Sequence, residues 1–226
     1  QKMEIKGFIF DFDGVIAASE PFHCQAWLDL GRQQNKPMPP GFLEAGVGRT
    51  DLELALELST RWQHTLAPEW ILGEKRRLYQ ERTKKQCPLI PGVKQTLRRL
   101  YKKAPLALAT SSSSADIEGI LVAHELKDFF KVILTFDHVK DPKPHPEIYQ
   151  KAAEGLCLAA SHCLAFEDSP SGSRSAREAG CKLIALGTTG PFERLEPYVD
   201  KMNDFCEIED LFQRLGLNNF LEAPNA

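Results

Sequence analysis

Two aspartates at positions 11 and 13, separated by Phe12 and followed by Gly14, end an apolar run formed by Ile5, Phe8, Ile9 and Phe10. Carboxylates are costly to bury without a partner, so an apolar strand that stops in Asp-x-Asp-Gly places acids at a crevice rather than in a core. In an open parallel α/β sheet, ligands bind in the crevice beyond the carboxyl ends of the strands. Side chains alternate along an extended chain, which predicts that Asp11 and Asp13 point the same way and Phe12 the other. Two like charges so close call for a cation between them. The same four residues also read as a plain strand-ending turn.

Three further polar clusters bear on the choice. Thr110-Ser111-Ser112 follows the apolar Leu106-Ala107-Leu108-Ala109, and Glu167-Asp168 follows Cys163-Leu164-Ala165-Phe166. Lys143 stands in Asp141-Pro142-Lys143-Pro144-His145-Pro146, where the prolines fix φ, restrict each preceding residue and predict a stiff extended segment. Carboxylates, hydroxyls and one lysine form an inventory for phosphoryl transfer. Oxygen ligands suit a hard cation such as Mg²⁺, and one carboxylate is left free to attack phosphorus. Singly, the serine run is also a solvated loop, the lysine a surface charge and the Glu-Asp pair a helix cap. Their shared strand-end position favours the chemical reading.

The elements that must carry these groups fall into two textures. Between residues 17 and 88 the pattern is helical, with a helix opened by Ser19, one capped by Thr50 or Asp51 through Leu52, Leu54, Leu56 and Leu58, and one from about Pro68 to Lys84. From Cys87 onward strand and helix alternate, the signature of a parallel sheet with right-handed crossovers. Helices are expected from Pro91-Gly92 to Lys103, Ala115 to Glu125, Pro146 to Leu156, Ser173 to Ala179 and Glu209 to Leu215. Strands are expected at 106–109, 132–134, 163–166 and 183–186, with Phe205 to Ile208 and the last helix closing the fold. The fold class is therefore α/β. The expected division is an α/β core from residues 1–16 and 85–226 and a helical cap from residues 17–84.

Composition excludes several functions. The chain has 226 residues, 28 basic and 31 acidic, and a formal net charge of -3. Nothing in that balance suits nucleic acid or an anionic membrane surface. Apolar runs are strand-length, far short of the roughly 20 residues needed to span a bilayer, and no signal-peptide layout opens the sequence, so a cytoplasmic protein is expected. Six cysteines without a Cys-x-x-Cys pair argue against zinc and against a disulfide framework.

The order Asp-Phe-Asp-Gly-Val (11–15), Ala-Thr-Ser-Ser (109–112), Asp-Pro-Lys-Pro (141–144) and Phe-Glu-Asp-Ser-Pro-Ser-Gly (166–172) resembles the four motifs of the haloacid dehalogenase superfamily. Within it, Ser19, His23 and Trp27, the stretch Gly46-Val47-Gly48-Arg49, and Lys75 with Tyr79 are similar to the cap of the β-phosphoglucomutase-like branch. The resemblance implies a doubly wound, Rossmann-like parallel-sheet core with an inserted all-helical cap. It also implies a Mg²⁺-dependent phosphatase that acts on a small phosphorylated metabolite such as a sugar phosphate, as a monomer or weak dimer. By that resemblance Asp11 is the nucleophile and Asp13 the general acid and base. Thr110, Ser111 and Ser112 hold phosphate oxygens and Lys143 neutralises the transferred group. Asp11, the main chain of Asp13, Glu167 and Asp168 bind the metal. His23, Arg49 and Lys75 contact the substrate from the cap side.

One departure bears on the outcome. Where β-phosphoglucomutases commonly carry a basic residue shortly after the second motif, this chain has Ser112, Ser113 and Ser114. A mutase must hold a second phosphate and exclude water, so hydrolysis is favoured over isomerisation of glucose 1-phosphate to glucose 6-phosphate. A catalytically silent binding module remains the alternative of a different class.

Overall fold

A computed structural model describes residues 3–46 and 49–222. Val47 and Gly48 of the cap-side pattern lie outside the described residues. The chain opens with β1 (Gly7–Phe10), and four helices follow it: α1 (Glu20–Gln33), α2 (Phe42–Gly46), α3 (Asp51–Arg61) and α4 (Pro68–Gln86). Then come α5 (Val93–Leu100), β2 (Leu106–Ala109), α6 (Ser114–Ala123), β3 (Val132–Leu134), α7 (Glu147–Gly155), β4 (Cys163–Glu167) and α8 (Pro170–Glu178). The chain closes with β5 (Lys182–Leu186), β6 (Asp200–Met202) and α9 (Ile208–Leu215).

The six strands form one parallel sheet in the order β3-β2-β1-β4-β5-β6. The winding direction reverses at β1, which sets the ligand crevice at its carboxyl end. Period-two alternation splits each central strand between two cores. Phe8 and Phe10, Leu106 and Leu108, and Leu164 and Phe166 pack on one face with α5, α6 and α9. Ile9, Ala107, Ala109, Cys163 and Ala165 pack on the other with α7 and α8. Large residues on the first face allow close ring packing, with Phe10 and Phe166 stacked at 4.8 Å between centroids. Such a pair adds about 0.5–1.5 kcal/mol beyond simple burial. The fold is thus α/β and doubly wound, with both faces of the sheet covered by helices.

The helices between β1 and α5 gather around their own apolar cluster, which includes Trp27, Leu30, Phe42, Leu58, Ile71 and Tyr79. In α3 the capping box formed by Thr50 and Glu53 fixes the start, and Leu54 and Leu58 face inward while Leu52 and Leu56 remain exposed. Two connecting segments join this helical layer to the sheet layer and run side by side, Ala18 N–H donating to Pro88 O and Ile90 N–H to Ile16 O, both at 2.9 Å.

Several expectations differ in detail. Ser19 does occupy the cap position of α1, but its hydroxyl turns away from the helix amides to Asp13. The strand β6 escapes sequence reading because it is three residues long with Lys201 exposed. Phe205–Glu207, in the segment that closes the fold, form a 3₁₀ turn. The α8 helix begins at Pro170, three residues earlier than the periodicity indicated, because Ser169 caps it by accepting from Gly172 N–H. All six cysteines are free, and Cys87, Cys163 and Cys181 are buried. No helix among the described residues is long and apolar enough to cross a membrane.

Candidate active site

The carboxyl ends of β1, β2 and β4 deliver Asp11, Thr110 and Glu167 to one crevice, which the α1–α4 layer covers from above. The cavity between them has a volume of about 100 Å³, and Asp11, Asp13, Thr110, Ser111, Lys143 and Asp168 line its sheet side. The strand period ends at Phe10, so the expected alternation does not extend through Asp13. Phe12 does turn into the core, and the two aspartates, although both line the cavity, take separate sets of partners.

Asp11 accepts from Lys143 Nζ at 2.8 Å. The same ammonium donates to Glu167 Oε1 at 2.7 Å and to Ala109 O at 3.0 Å, which uses all three of its protons. Lys143 reaches this position from a loop that turns between Pro142 and His145, closed by His145 N–H to Pro142 O, so the expected extended segment is in fact bent. The Lys143–Pro144 peptide is cis. Burial opposes the lysine charge, but Asp11 and Glu167 outweigh it and hold its pKa above the ordinary value.

Glu167 is wholly buried and fully engaged. Besides Lys143, Oε1 accepts from Tyr149 Oη at 2.8 Å, and Oε2 accepts from the amides of Asp168 and Ser169 and from Ser169 Oγ. It serves chiefly to hold the lysine. The ring of Tyr149 lies 5.0 Å from Lys143 Nζ and adds a cation–π contact on the same side.

Asp13 accepts from Ser19 Oγ at 2.5 Å and from Ser112 Oγ at 2.5 Å, and meets His23 Nε2 at 3.0 Å. His23 Nδ1 in turn lies 2.6 Å from Lys75 Nζ, which also donates to Asp51 Oδ2 at 2.5 Å. With Lys75 donating, Nδ1 is the acceptor, so Nε2 carries the proton and donates to Asp13. Burial pushes the Asp13 carboxyl up, but the contacts with His23, Ser112 and Ser19 outweigh it and leave it well below the usual carboxylate range. Asp11 goes the other way. Burial first, then the Glu167 charge, lift it to about 8 against the pull of Lys143.

Asp168 is lifted well above the ordinary range by burial, Asp11 and Glu167, and only Thr189 opposes this. Its Oδ2 accepts from Thr189 Oγ1 at 2.6 Å, while Oδ1 is buried without a partner. One oxygen from each of Asp11, Glu167 and Asp168 lies within 4.8 Å of the others. A buried orphan oxygen, an all-oxygen donor set and carboxylates raised for want of positive charge are what a hard divalent cation would correct. Those residues fit such an ion. The Asp13 side chain is turned to its own partners and is not in this cluster. Gly14 belongs to the design too, because its φ is +76° and a Cβ there would sit 2.0 Å from Asp168 Oδ2.

The remaining expected residues have varied positions. Thr110 is fully buried and its hydroxyl accepts from Ser112 N–H at 3.0 Å, shaping the turn. Ser111 lines the cavity, whereas the Ser112 hydroxyl is committed to Asp13. Arg49 lines the cavity but donates to Glu57 Oε2 at 2.8 Å. Lys75 does not join the lining. It is fully buried behind His23, between the rings of Trp27 and Tyr79, and so is not part of a solvated cluster with Arg76 and Arg77. Sequence reading passed over Tyr149, Ser169, Thr189 and Asp51. Thr188-Thr189 follows β5 as Thr110-Ser111 follows β2, so the same strand-end rule would have found Thr189.

The family model described as haloacid dehalogenase-like hydrolase matches residues 8–186. A phosphorylated carbohydrates phosphatase of Thermotoga maritima is 30% identical over 187 residues, 80% of this chain and 84% of that one. A beta-phosphoglucomutase of Bacillus subtilis is 28% identical over 208 residues, 88% of this chain and 91% of that one. The crystal structure of CbbY from Rhodobacter sphaeroides in complex with phosphate superimposes with a TM-score of 0.80 at 23% identity, covering 90% of this chain and 96% of that one. The chain therefore belongs to the haloacid dehalogenase-like hydrolase family, as an enzyme of its phosphatase and phosphotransferase class with a helical insertion after the first strand.

Proposed function

We propose that this chain is a Mg²⁺-dependent phosphatase that hydrolyses a small phosphorylated sugar through a covalent intermediate on Asp11. The observation that carries the reading is the separation of the two aspartates. Asp11 is tied to the Lys143 ammonium and stands beside Asp168, while Asp13 is tied to His23, Ser19 and Ser112. The two carboxylates of one cavity are thus held by different groups, Asp11 beside the ammonium and the acidic cluster and Asp13 on an imidazole and two hydroxyls that can pass a proton, which suits them to different tasks.

In the first step an Asp11 oxygen forms a bond to phosphorus and the ester P–O bond breaks, the leaving alkoxide taking a proton from Asp13 in its protonated form. In the second, water attacks phosphorus, Asp13 takes a proton from it, and the acyl phosphate P–O bond breaks to restore Asp11. The sum is phosphomonoester plus water giving alcohol plus phosphate. Lys143, the Ser111 hydroxyl and main-chain amides after β2 would bind the phosphoryl oxygens. Mg²⁺ held by Asp11, Asp168 and the main-chain carbonyl of Asp13 would offset the charge of nucleophile and substrate. The α1–α4 layer would act as the cap that excludes bulk water, with residues 17–84 moving against the sheet layer.

The phosphatases among the relatives support hydrolysis, and the B. subtilis mutase keeps the isomerase reading in play. Incubation with β-glucose 1-phosphate, Mg²⁺ and a trace of glucose 1,6-bisphosphate separates them. Free phosphate is the expected product, and accumulation of glucose 6-phosphate without phosphate would overturn the hydrolytic reading. Asp11→Asn is expected to abolish phosphate release, and a wild-type rate in that variant would remove the covalent mechanism.

A further inference from the structure

We infer that Asp116 is a positioning residue for Asp13, and that it ties the Asp13 carboxylate to the placement of α4 over the sheet layer. The inference rests on the phosphatase reading and deepens it, since it concerns the proton that Asp13 delivers.

Ser113-Ser114-Ala115-Asp116 has the spacing of a capping box, in which each end side chain accepts from the other residue's amide. The box does not form. Ser113 makes no side-chain cap bond, and its hydroxyl donates instead to Asp116 Oδ2 at 2.6 Å. Asp116 Oδ1 turns to another helix and accepts from Gln80 Nε2 of α4 at 3.2 Å. The same Gln80 amide donates to Ala115 O at 3.3 Å. With α4 packed on α6, Asp116 is only 4% exposed although it stands in a first helical turn. A carboxylate so placed depends on its partners.

Arg76 adds charge to this contact. Its Nε lies 3.4 Å from Asp116 Oδ2, yet it is buried and makes no hydrogen bond. The cations on either side of it are committed elsewhere, Lys75 to His23 and Asp51, and Arg77 to Glu74 and Glu81. An unpaired buried donor is costly, and Asp116 removes that cost when α4 and α6 draw together. Arg76 and Gln80, four residues apart, share one face of α4.

At the other end of the linkage stands Asp13. Asp116 holds Ser113 twice, by the Ser113 hydroxyl and by donating its own amide to Ser113 O at 3.1 Å. Ser112 precedes it. Its amide donates to Thr110 Oγ1, its carbonyl accepts from Phe136 N–H, and its hydroxyl donates to Asp13 Oδ2 at 2.5 Å. The opposite oxygen, Oδ1, is held by Ser19 and His23, with Lys75 behind the imidazole. Consecutive residues of α4 therefore lead to the two oxygens of one carboxylate. Lys75 acts through His23 on Oδ1, while Arg76 and Gln80 act through Asp116, Ser113 and Ser112 on Oδ2. With α4 in place, both oxygens are supported and the orientation of Asp13 toward a leaving oxygen is fixed.

The test uses Asp116→Asn, Gln80→Met and the double variant, on the intact chain with Mg²⁺. Turnover of fructose 1-phosphate, whose alkoxide needs a proton to depart, is compared with that of p-nitrophenyl phosphate, whose phenolate does not. Each single variant should lower the ratio of the two kcat values about tenfold, a part of what general acid catalysis supplies. The double variant should be no worse than the worse single one, because the residues act in one chain of contacts. Amide exchange of residues 110–116, read by mass spectrometry, should rise in Gln80→Met. Arg77→Met, on the outer face of the same helix, should leave both the ratio and the exchange unchanged. A wild-type ratio in either single variant, as a purely structural role would give, or wild-type exchange in Gln80→Met, would overturn the inference. Failure of the wild type to release phosphate from both substrates would end the phosphatase reading instead, and the exchange measurement would still support or overturn the linkage.

Discussion

Gly172 in the first turn of α8 lies against the Glu167 carboxylate so closely that a Cβ at position 172 would stand 1.9 Å from Oε1. No side chain fits there while Glu167 keeps its contacts with Lys143 and Tyr149. Gly172→Ala should therefore displace Glu167, loosen Lys143 and destabilise the fold by about 1–3 kcal/mol. For a domain of this size that is a fall of roughly 2–4 °C in Tm per kcal/mol, with phosphatase activity falling further than stability alone explains. An unchanged Tm and rate in the alanine variant would show that Glu167 is not held as described.

Thr189 is the one side chain that holds Asp168 Oδ2 among the described contacts. Thr189→Val keeps the shape and removes the hydroxyl, leaving the carboxylate free to rotate. Loss of a hydrogen bond that orients a metal ligand weakens metal binding by about 10–100-fold. The Mg²⁺ concentration for half-maximal activity should rise accordingly, with the rate recovering at saturating Mg²⁺. A superimposable Mg²⁺ titration would dissociate Thr189 from the metal site.

Lys75 is completely buried, with Asp51 and His23 as its polar partners. Lys75→Met retains the packing between Trp27 and Tyr79 and removes the charge. Asp51 keeps partial contact with solvent, so the loss of stability should be about 1–3 kcal/mol, less than for a fully buried pair. The larger effect should be on kcat, because His23 loses the donor that sets its tautomer toward Asp13. Unfolding curves and kcat measured together distinguish this from a purely structural role, which would spare kcat at temperatures well below Tm.

Glu147 anchors the loop that presents Lys143. It accepts from Lys151 and from the amides of Lys140 and Asp141, and these contacts, Lys151 first, bring its carboxyl down to about 2. A depressed carboxylate contributes stability above its unfolded value, and that contribution is lost as pH falls through the folded value. The Tm difference between the wild type and Glu147→Gln should therefore be full at pH 7 and shrink between about pH 4.5 and 2. A difference that stays constant across that window would contradict the linkage.

Much of the sheet was legible because buried parallel strands are short continuous apolar runs with polar ends. Leu106–Ala109 and Cys163–Glu167 follow that form, whereas Asp200–Met202 does not, being short, at the sheet edge and half solvated. The helix starts at Thr50 and Ser169 follow local capping chemistry. Ser19 shows the limit of that rule, since its hydroxyl had a helix amide within its own segment and a charged acceptor at Asp13, and the charged acceptor took it.

By itself the sequence determined which side chains stand at strand ends, because alternation, apolar run length and proline or glycine punctuation are local properties of the chain. Tertiary structure decided how those side chains are partnered. Asp11 and Asp13 are two residues apart, yet their protonation tendencies diverge because Lys143 and Glu167 arrive at one from distant segments, while the other meets Ser19 and His23 of the following helix start and Ser112 from beyond β2. Arg49 reads as a free cation in the sequence and becomes the partner of Glu57 only when α3 folds beside it. Coulombic and desolvation effects depend on distance in space, and for these residues distance in space is set by the packing of the helical layer on the sheet.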